Sequence, residues 1–438
     1  MLAILPALAL LTPLQGATSA PGQASFGARR RPPNIVLVFA DDFGVDLVGA
    51  YGEGVAPPCT PNIDELAAEG MLFRNAWANP VCSPTRAALL TGRYGFRTGI
   101  GAVVTPGQPG LLLAEVTIPE VLTGYTSTLT GKWHLAGNLG NLHPNESGFA
   151  HFAGTIRGAV QDYFQWTKVT DGQTSTSTTY ATTDTTDEAI AAIQMMPEPW
   201  FAFVSYNAPH APFHAPPATL CPGLACAGSW CGNLPANPST AEYVKAMTEA
   251  MDSELGRLLA ALDAVDPDAW VFFMGDNGTA RMASEPPFIP SHAKGSMFEG
   301  GINVPLIVRG PGVVNAECGA LVACVDLLAT FAELAGVPAP ATDSVSMVRC
   351  FSDPSAAPRD TVYAERFSPN FATLPFPEHD RAIRDGRYKL IRSTSAADRF
   401  YDLLFDPFET ANLLPSLTTQ EQQAHDALVA ELIALGVD

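Results

Sequence analysis

Four stretches of this chain place acids, amides, lysines and histidines directly after apolar runs. Ile35-Val36-Leu37-Val38-Phe39-Ala40 leads into Asp41-Asp42, and Trp270–Gly275 leads into Asp276-Asn277. The weaker run Tyr125–Thr130 leads into Gly131-Lys132-Trp133-His134, and Trp200–Ser205 leads, after a short loop, into His210. If the runs are strands of an open α/β sheet, these side chains converge, because ligands of such sheets sit outside the carboxyl ends of the strands. Asp41, Asp42, Asp276 and Asn277 are hard oxygen donors of the kind that Ca2+ and Mg2+ take. Two carboxylates 4 Å apart repel by about 4 kcal/mol at an effective dielectric of 20, and a divalent cation removes that repulsion. A lone Asp-Asp or Asp-Asn after a strand is more often a solvated turn; the two pairs together point to a metal. Asn277-Gly278-Thr279 also matches a glycosylation sequon, a use that a metal ligand excludes, and Asn145-Glu146-Ser147 is the better acceptor.

A second cluster surrounds Cys82. In Cys82-Ser83-Pro84-Thr85-Arg86 the spacing predicts a helix start, with Ser83 as cap and Pro84 at the first helical position. Cys82 then lies beside free N–H groups that attract anions, and Arg86 adds a forked, permanently charged donor for an oxyanion. The plain alternative for Cys82 is a small buried hydrophobe.

The elements that must position these residues are legible in outline. Strand-like runs alternate with helical patterns, which predicts an α/β fold with a large, mostly parallel sheet flanked by helices. The first strand is expected over Asn34–Ala40. Thr60-Pro61 opens a helix that stops at Gly70, and Ser239 to Glu242 forms a capping box ahead of a long helix. There Val244, Met247, Met251, Leu255, Leu258 and Leu262 recur at three- and four-residue steps, a core stripe. The Thr/Ser-rich stretch Thr170–Thr186 reads as a surface loop ending in a helix start. From about residue 346 the character changes. An Asp385-Gly386 turn precedes the strand-like Tyr388-Lys389-Leu390-Ile391, Arg399–Leu403 is a candidate partner, and a last helix begins near Thr418. This predicts a smaller C-terminal antiparallel-sheet subdomain, so the expected division is 33–345 and 346–438.

Composition bounds the class. The 438 residues are 47% hydrophobic and 16% charged, with a formal net charge of -20. That is an enzyme-like globular profile with no attraction for nucleic acid or an anionic membrane. Leu2–Leu14 is apolar but too short, and too broken by Pro6 and Pro13, to span a bilayer. Residues 1–24 are expected to be a signal peptide cut between Ala17 and Ala24, although no Lys or Arg precedes the apolar run. No other stretch qualifies as a membrane span, so the expected location is secreted or periplasmic. Of eight cysteines, seven remain if chemistry consumes Cys82, so at least one has no partner within the chain. Cys221, Cys226 and Cys231 suggest a disulfide-stapled loop, with zinc as the alternative, and the connectivity stays open.

Cys82-Ser83-Pro84-Thr85-Arg86, continued by Ala87-Ala88-Leu89-Leu90-Thr91-Gly92-Arg93, resembles the signature of formylglycine-dependent sulfatases of the alkaline phosphatase superfamily. The resemblance extends through Asn34–Asp42, Gly131–Leu135, Ala208–Pro212, Gly275–Gly278, Lys294–Ser296, Glu299–Gly301 and Tyr401–Leu413, nearly the whole chain after the leader. Two positions depart from the pattern: Asn303 stands where arginine is more frequent, and Gly275 where serine is. The resemblance implies an arylsulfatase-like sulfuric ester hydrolase that works through a formylglycine-sulfate intermediate. Cys82 is oxidised to formylglycine by a maturation enzyme that reads Pro84 and Arg86. It then acts at a Ca2+ (less readily Mg2+) held by Asp41, Asp42, Asp276, Asn277 and residue 82 itself. Arg86 and Lys132 orient the nucleophile, His134 takes a proton, and His210 and Lys294 bind sulfate and protonate the leaving oxygen. His143, His214 and His292 are secondary candidates for substrate contact. The expected substrate is small, an aryl sulfate or sulfated saccharide, because the acidic chain offers no basic track for a polyanion. The alternatives are a phosphate or phosphonate monoester hydrolase of the same superfamily, and a non-catalytic binder of sulfated glycans. Specificity is expected in the loops Gly101–Leu112, Pro216–Pro238 and Ala280–Ser291.

Overall fold

The computed structural model describes residues 32–221, 226 and 228–437; the expected leader lies outside them. A ten-stranded sheet carries the fold. Its strands are β1 Ile35–Ala40, β2 Met71–Trp77, β3 Thr126–Lys132, β4 His151–Thr155, β5 Trp166–Thr170, β6 Gln173–Ser177, β7 Trp200–Ser205, β8 Trp270–Gly275, β9 Leu306–Arg309 and β10 Ala316–Ala323. They are ordered β10-β2-β9-β8-β1-β7-β3-β4-β5-β6. The central five, β8-β1-β7-β3-β4, are all parallel. Every residue of β1, β7 and β8 is buried, as expected of strands covered on both faces. Helices cover those faces: Pro61–Glu69, Ala181–Met195 and Thr240–Val265 pack with one apolar cluster, and Cys82–Thr91 and Asp326–Ala335 with the other.

Local chemistry explains the ends of these elements. Ser239 accepts from the Glu242 N–H and the Glu242 carboxylate accepts from the Ser239 N–H, so the long helix Thr240–Val265 starts on the expected reciprocal cap. All six residues of its predicted stripe are buried. The second sheet is antiparallel, β11 Val362–Ser368, β12 Glu378–Arg384, β13 Tyr388–Ser393 and β14 Arg399–Asp402, followed by the helix Thr419–Leu435. Phe351, just before it, packs against Phe73, Trp270 and Phe272 of the large sheet.

Two expectations need correction. Thr170–Thr186 is not a loop: Thr170 ends β5, and Gln173–Ser177 form β6, paired back onto it. Asp171 and Gly172, at φ 45° and 82°, make the two-residue turn that such a hairpin requires. The β-branched Thr residues then suit an exposed edge hairpin better than a loop. Second, the helix at the signature begins at Cys82, two residues early, with Val81 as its N-cap. Ser83 cannot cap it, because its buried hydroxyl donates to the His134 carbonyl at 3.1 Å and accepts from the Val104 N–H at 3.0 Å. Pro84 is tolerated inside the first turn, where its missing N–H would have had no intrahelical partner.

Disulfides join Cys59 to Cys226, 167 residues apart, and Cys221 to Cys231. The cysteine cluster is therefore a stapled loop, and one staple reaches the segment ahead of Pro61–Glu69. No helix among the described residues is long and apolar enough to cross a membrane.

Candidate active site

The sheet registers align the strand ends that matter. Ala40 stands beside Gly275, Phe39 beside Ser205, and Gly131 beside Ser205. Four neighbouring parallel strands therefore end at one edge, and the residues that follow them meet there. Lys132 is the last residue of β3, and its ammonium donates to the Asp41 carboxylate, both side chains fully buried. Asp276 follows β8 and accepts from Arg86 Nη2 at 3.1 Å through Oδ2 and from the Asp42 N–H at 2.9 Å through Oδ1. Asp42 Oδ1 accepts from Asn277 Nδ2 at 3.0 Å and from Lys294 Nζ. His210 Nε2 lies 4.0 Å from Asp42 Oδ2. The Cys82 sulfur, at the first turn of its helix, lies within 4.8 Å of carboxylate oxygens of Asp41 and Asp276. All ten residues singled out from the sequence thus take part in one cluster or border it.

Backbone strain marks the same place. Asp42 and His134 both hold φ at 62°, a conformation costly for residues with a Cβ. Gly275 and Gly131 are forced by close approach. A Cβ at 275 would lie 2.1 Å from the Phe43 carbonyl oxygen, and one at 131 would lie 1.9 Å from that of Ser205. The departure from serine at 275 is therefore a matter of backbone packing.

Three cations answer three carboxylates: Lys132, Lys294 and Arg86 against Asp41, Asp42 and Asp276. The repulsion expected among the acids is largely neutralised by the chain itself. Its residue shows in the proton affinities. Burial, then Asp41, pushes Asp276 up to about 7. For Asp42, burial acts upward but Lys294 and His210 outweigh it and bring the carboxyl down to about 2. Burial works to lower Lys294, yet Asp42 and the other anions hold it above the ordinary lysine range. Burial pulls His134 well below the ordinary histidine value, helped by Lys132 and Arg86. Burial also brings His210 down to about 4 against the pull of Asp42. Both imidazoles are neutral at pH 7. Burial raises the Cys82 thiol, so no reactive thiolate forms there at neutral pH.

Four buried polar atoms of this cluster lack a hydrogen-bond partner: Asp41 Oδ1, Asn277 Oδ1, Arg86 Nε and His134 Nδ1. Two are hard oxygens beside further carboxylates, and Asp41, Asp42 and His210 also present atoms within 4.8 Å of one another. This donor set fits a divalent cation that prefers oxygen.

The sequence reading missed several supports. Ser205 Oγ accepts from Arg86 Nη1 at 2.6 Å and donates to the Lys132 carbonyl at 2.8 Å. Tyr163 donates to the carbonyls of Asn207 and His210, fixing the His210 loop. Ser205 ends a recognised strand, which was a usable signal; Tyr163 is distant in sequence and gave none. The three secondary histidines are engaged elsewhere. His143 is buried between Trp133 Nε1 and the Leu111 carbonyl. His214 packs on Tyr163 and bonds Tyr180, and His292 stacks on Phe298.

An α/β fold whose parallel strand ends gather an acid cluster, paired lysines and a cysteine at a helix start is suited to binding an oxyanion. A model of the sulfatase family matches residues 33–337, and the chain belongs to that family. A second model, the C-terminal part of N-sulphoglucosamine sulphohydrolase, matches residues 291–436. The N-acetylgalactosamine-6-sulfatase of Rattus norvegicus is 32% identical over 372 residues, 74% of this chain and 65% of that protein. The chain thus spans less than two thirds of the length of that relative. Arylsulfatase A of Bos taurus is 30% identical over 474 residues, 92% of this chain and 87% of that protein. The solved structure of Ps i-CgsB in complex with k-i-k-neocarrahexaose is similar at a TM-score of 0.79 and 26% identity, over 92% of this chain and 93% of that one.

Proposed function

We propose that this protein hydrolyses the sulfate ester of a saccharide to an alcohol and inorganic sulfate at the Cys82 cluster. The observation that carries the reading is the placement of Cys82 against Asp41 and Asp276, with Arg86, Lys132, His134, His210 and Lys294 around it. Position 82 is to carry formylglycine, whose hydrate supplies a hydroxyl nucleophile and a second hydroxyl that lets the enzyme release sulfate. Asp41, Asp42, Asp276 and Asn277 would hold Ca2+, ahead of Mg2+, and the ion supplies Lewis-acid polarisation of a sulfate oxygen.

The remaining work falls to the chain's own groups. Buried Arg86 ties its helix to β3 through the Lys132 carbonyl, and the buried Lys132 side chain reaches Asp41, so both basic groups border the cluster around residue 82. His134 is neutral, and its buried Nδ1 has no partner, so it is the group able to take a proton from a hydroxyl at residue 82. The His210 Nδ1–H is committed to the Ala211 carbonyl, which leaves Nε2 towards the sulfate position. Lys294 carries its proton at neutral pH and is the better donor to the leaving oxygen. The high thiol affinity of Cys82 supports modification, since an unmodified thiol here is neither ionised nor able to release a bound sulfuryl group.

A sulfated saccharide is favoured as the substrate class by what the relatives are named for and by the oligosaccharide of the similar structure. Export to an oxidising compartment, a leader over 1–24 and a subdomain boundary near 345/346 belong to the same reading, supported by the two disulfides and the separate second sheet. A maturation enzyme is a protein partner that this reading requires.

Peptide mapping of active protein should show residue 82 lighter than cysteine by about 18 Da. Cys82→Ala should remove turnover of 4-nitrophenyl sulfate and leave the melting temperature nearly unchanged. Full turnover by protein with an intact Cys82 thiol refutes this reading. A preference for the matching aryl phosphonate over the aryl sulfate moves the protein to the phosphonate-hydrolase class.

A further inference from the structure

Beside His134 opens a cleft whose walls include Thr105, Asn138, Asn141, Arg157 and Gly158. It adjoins the reaction centre directly. Gly158 packs so closely on the His134 ring that a Cβ there would lie 2.3 Å from Nε2. The segment is anchored at its other end, because Thr155, the last residue of β4, accepts the Trp133 N–H at 3.0 Å. Arg157 therefore stands one residue from the catalytic imidazole on a fixed backbone.

Arg157 is unusual for this chain. The molecule has 44 acids against 24 bases, yet no acidic side chain among the described residues lines this cleft. Arg157 is exposed and has no ion-pair or hydrogen-bond partner among the described residues. The three cations of the acid cluster are committed: Lys132 to Asp41, Lys294 to Asp42, Arg86 to Asp276. A guanidinium is suited to forked recognition of a planar carboxylate or of a sulfate. The neutral hydroxyl and amides of Thr105, Asn138 and Asn141 match the hydroxyls of a sugar ring rather than further charge.

We propose that Arg157 binds a second oxyanion, a sulfate or a carboxylate, carried by the saccharide whose ester is cleaved at residue 82. The inference rests on the sulfatase reading and sharpens it: the preferred substrate bears a second negative charge on the same or the adjoining sugar. An aryl sulfate, which has no such group, reaches the reaction centre without this contact.

The test compares four probes on formylglycine-bearing protein: 4-nitrophenyl sulfate, a monosulfated hexosamine, the same sugar disulfated, and the monosulfated sugar linked to a uronic acid. Wild type should prefer one of the two dianionic sugars over the monosulfated one in kcat/KM by about tenfold or more, the worth of one charge-assisted contact. Which of the two it prefers tells sulfate from carboxylate. Arg157→Ala should erase that ratio, mainly through KM, and Arg157→Lys should keep part of it. A wild type without the preference, or an Arg157→Ala protein that loses all four substrates in equal proportion, overturns the proposal. Calorimetric binding of the dianionic sugar to Cys82→Ala protein separates the two claims. Affinity that drops about tenfold on adding Arg157→Ala upholds the subsite even if turnover fails, whereas equal affinity refutes it.

Discussion

Lys132→Met tests how the acid cluster is held. Lys132 and Asp41 are both fully buried and paired, and Met keeps the length and packing of the side chain while removing its charge. Taking one partner from a buried pair costs about 3–5 kcal/mol, because the other charge is left uncompensated. Unfolding entropy is roughly 2.1 cal/mol/K per residue, so a chain of this length has about 0.9 kcal/mol/K, and the loss corresponds to a fall in melting temperature of about 3–5 °C in chelator. Ca2+ should then act differently on the two proteins. In the wild type a Ca2+ ion held as proposed would share Asp41 with the Lys132 ammonium and, at a hundredfold excess over its dissociation constant, would add about 2.7 kcal/mol, roughly 3 °C. In the variant that competitor is gone, so the Ca2+-induced rise should be larger and the gap to wild type should narrow. Scanning calorimetry of both proteins, in chelator and across a Ca2+ titration, gives the four melting temperatures needed. A variant as stable as wild type in chelator would show that Lys132 does not neutralise Asp41. A melting temperature insensitive to Ca2+ in both proteins would refute the metal assignment itself.

Two further outcomes follow from a glycine beside Asp276 and from a half-buried carboxyl group away from the cluster. Gly275→Ala should destabilise the protein by about 1–3 kcal/mol in denaturant titration, since the new Cβ meets the Phe43 carbonyl at 2.1 Å and only a backbone shift relieves it; an unchanged midpoint would show that this edge of the sheet is not held tightly. Glu53 is half-buried, and burial raises its carboxyl from 4.5 to about 7, against the pull of Arg74. The folded state therefore binds more protons than the unfolded state between those values, so stability from this group is full below pH 4.5 and declines up to pH 7. Glu53→Gln removes that decline: the two proteins should match near pH 4, and the variant should be more stable by about 1–2 kcal/mol at pH 8. A difference that does not change with pH would refute the assignment.

The sequence determined what depends on neighbours along the chain. Strands β1, β7 and β8 are continuous apolar runs, and no helix period competes with them. The Ser239–Glu242 capping box and the Asp385-Gly386 turn are local hydrogen-bonding devices, and both lie where their pattern put them. Asp171-Gly172 carried the same two-residue turn signal, but the Thr-rich flanks hid it, because an exposed edge hairpin has no apolar alternation. The convergence of the strand-end residues was legible too, since it follows from strand polarity in a parallel sheet.

Tertiary structure alone decided the partners. Ser83 has the right type and place for a cap, yet it joins Val104 to His134 across 21 and 51 residues, and no local rule sees those groups. The acid cluster looked like uncompensated repulsion because Lys132 and Lys294 lie 91 and 252 residues from the carboxylates they answer. The disulfide from Cys59 to Cys226 and the approach of Gly158 to His134 are of the same kind. A sequence states which groups can ionise, cap or ligate, because those are properties of single residues and short turns. Which charge meets which is fixed only when the sheet registers bring distant segments within hydrogen-bonding distance.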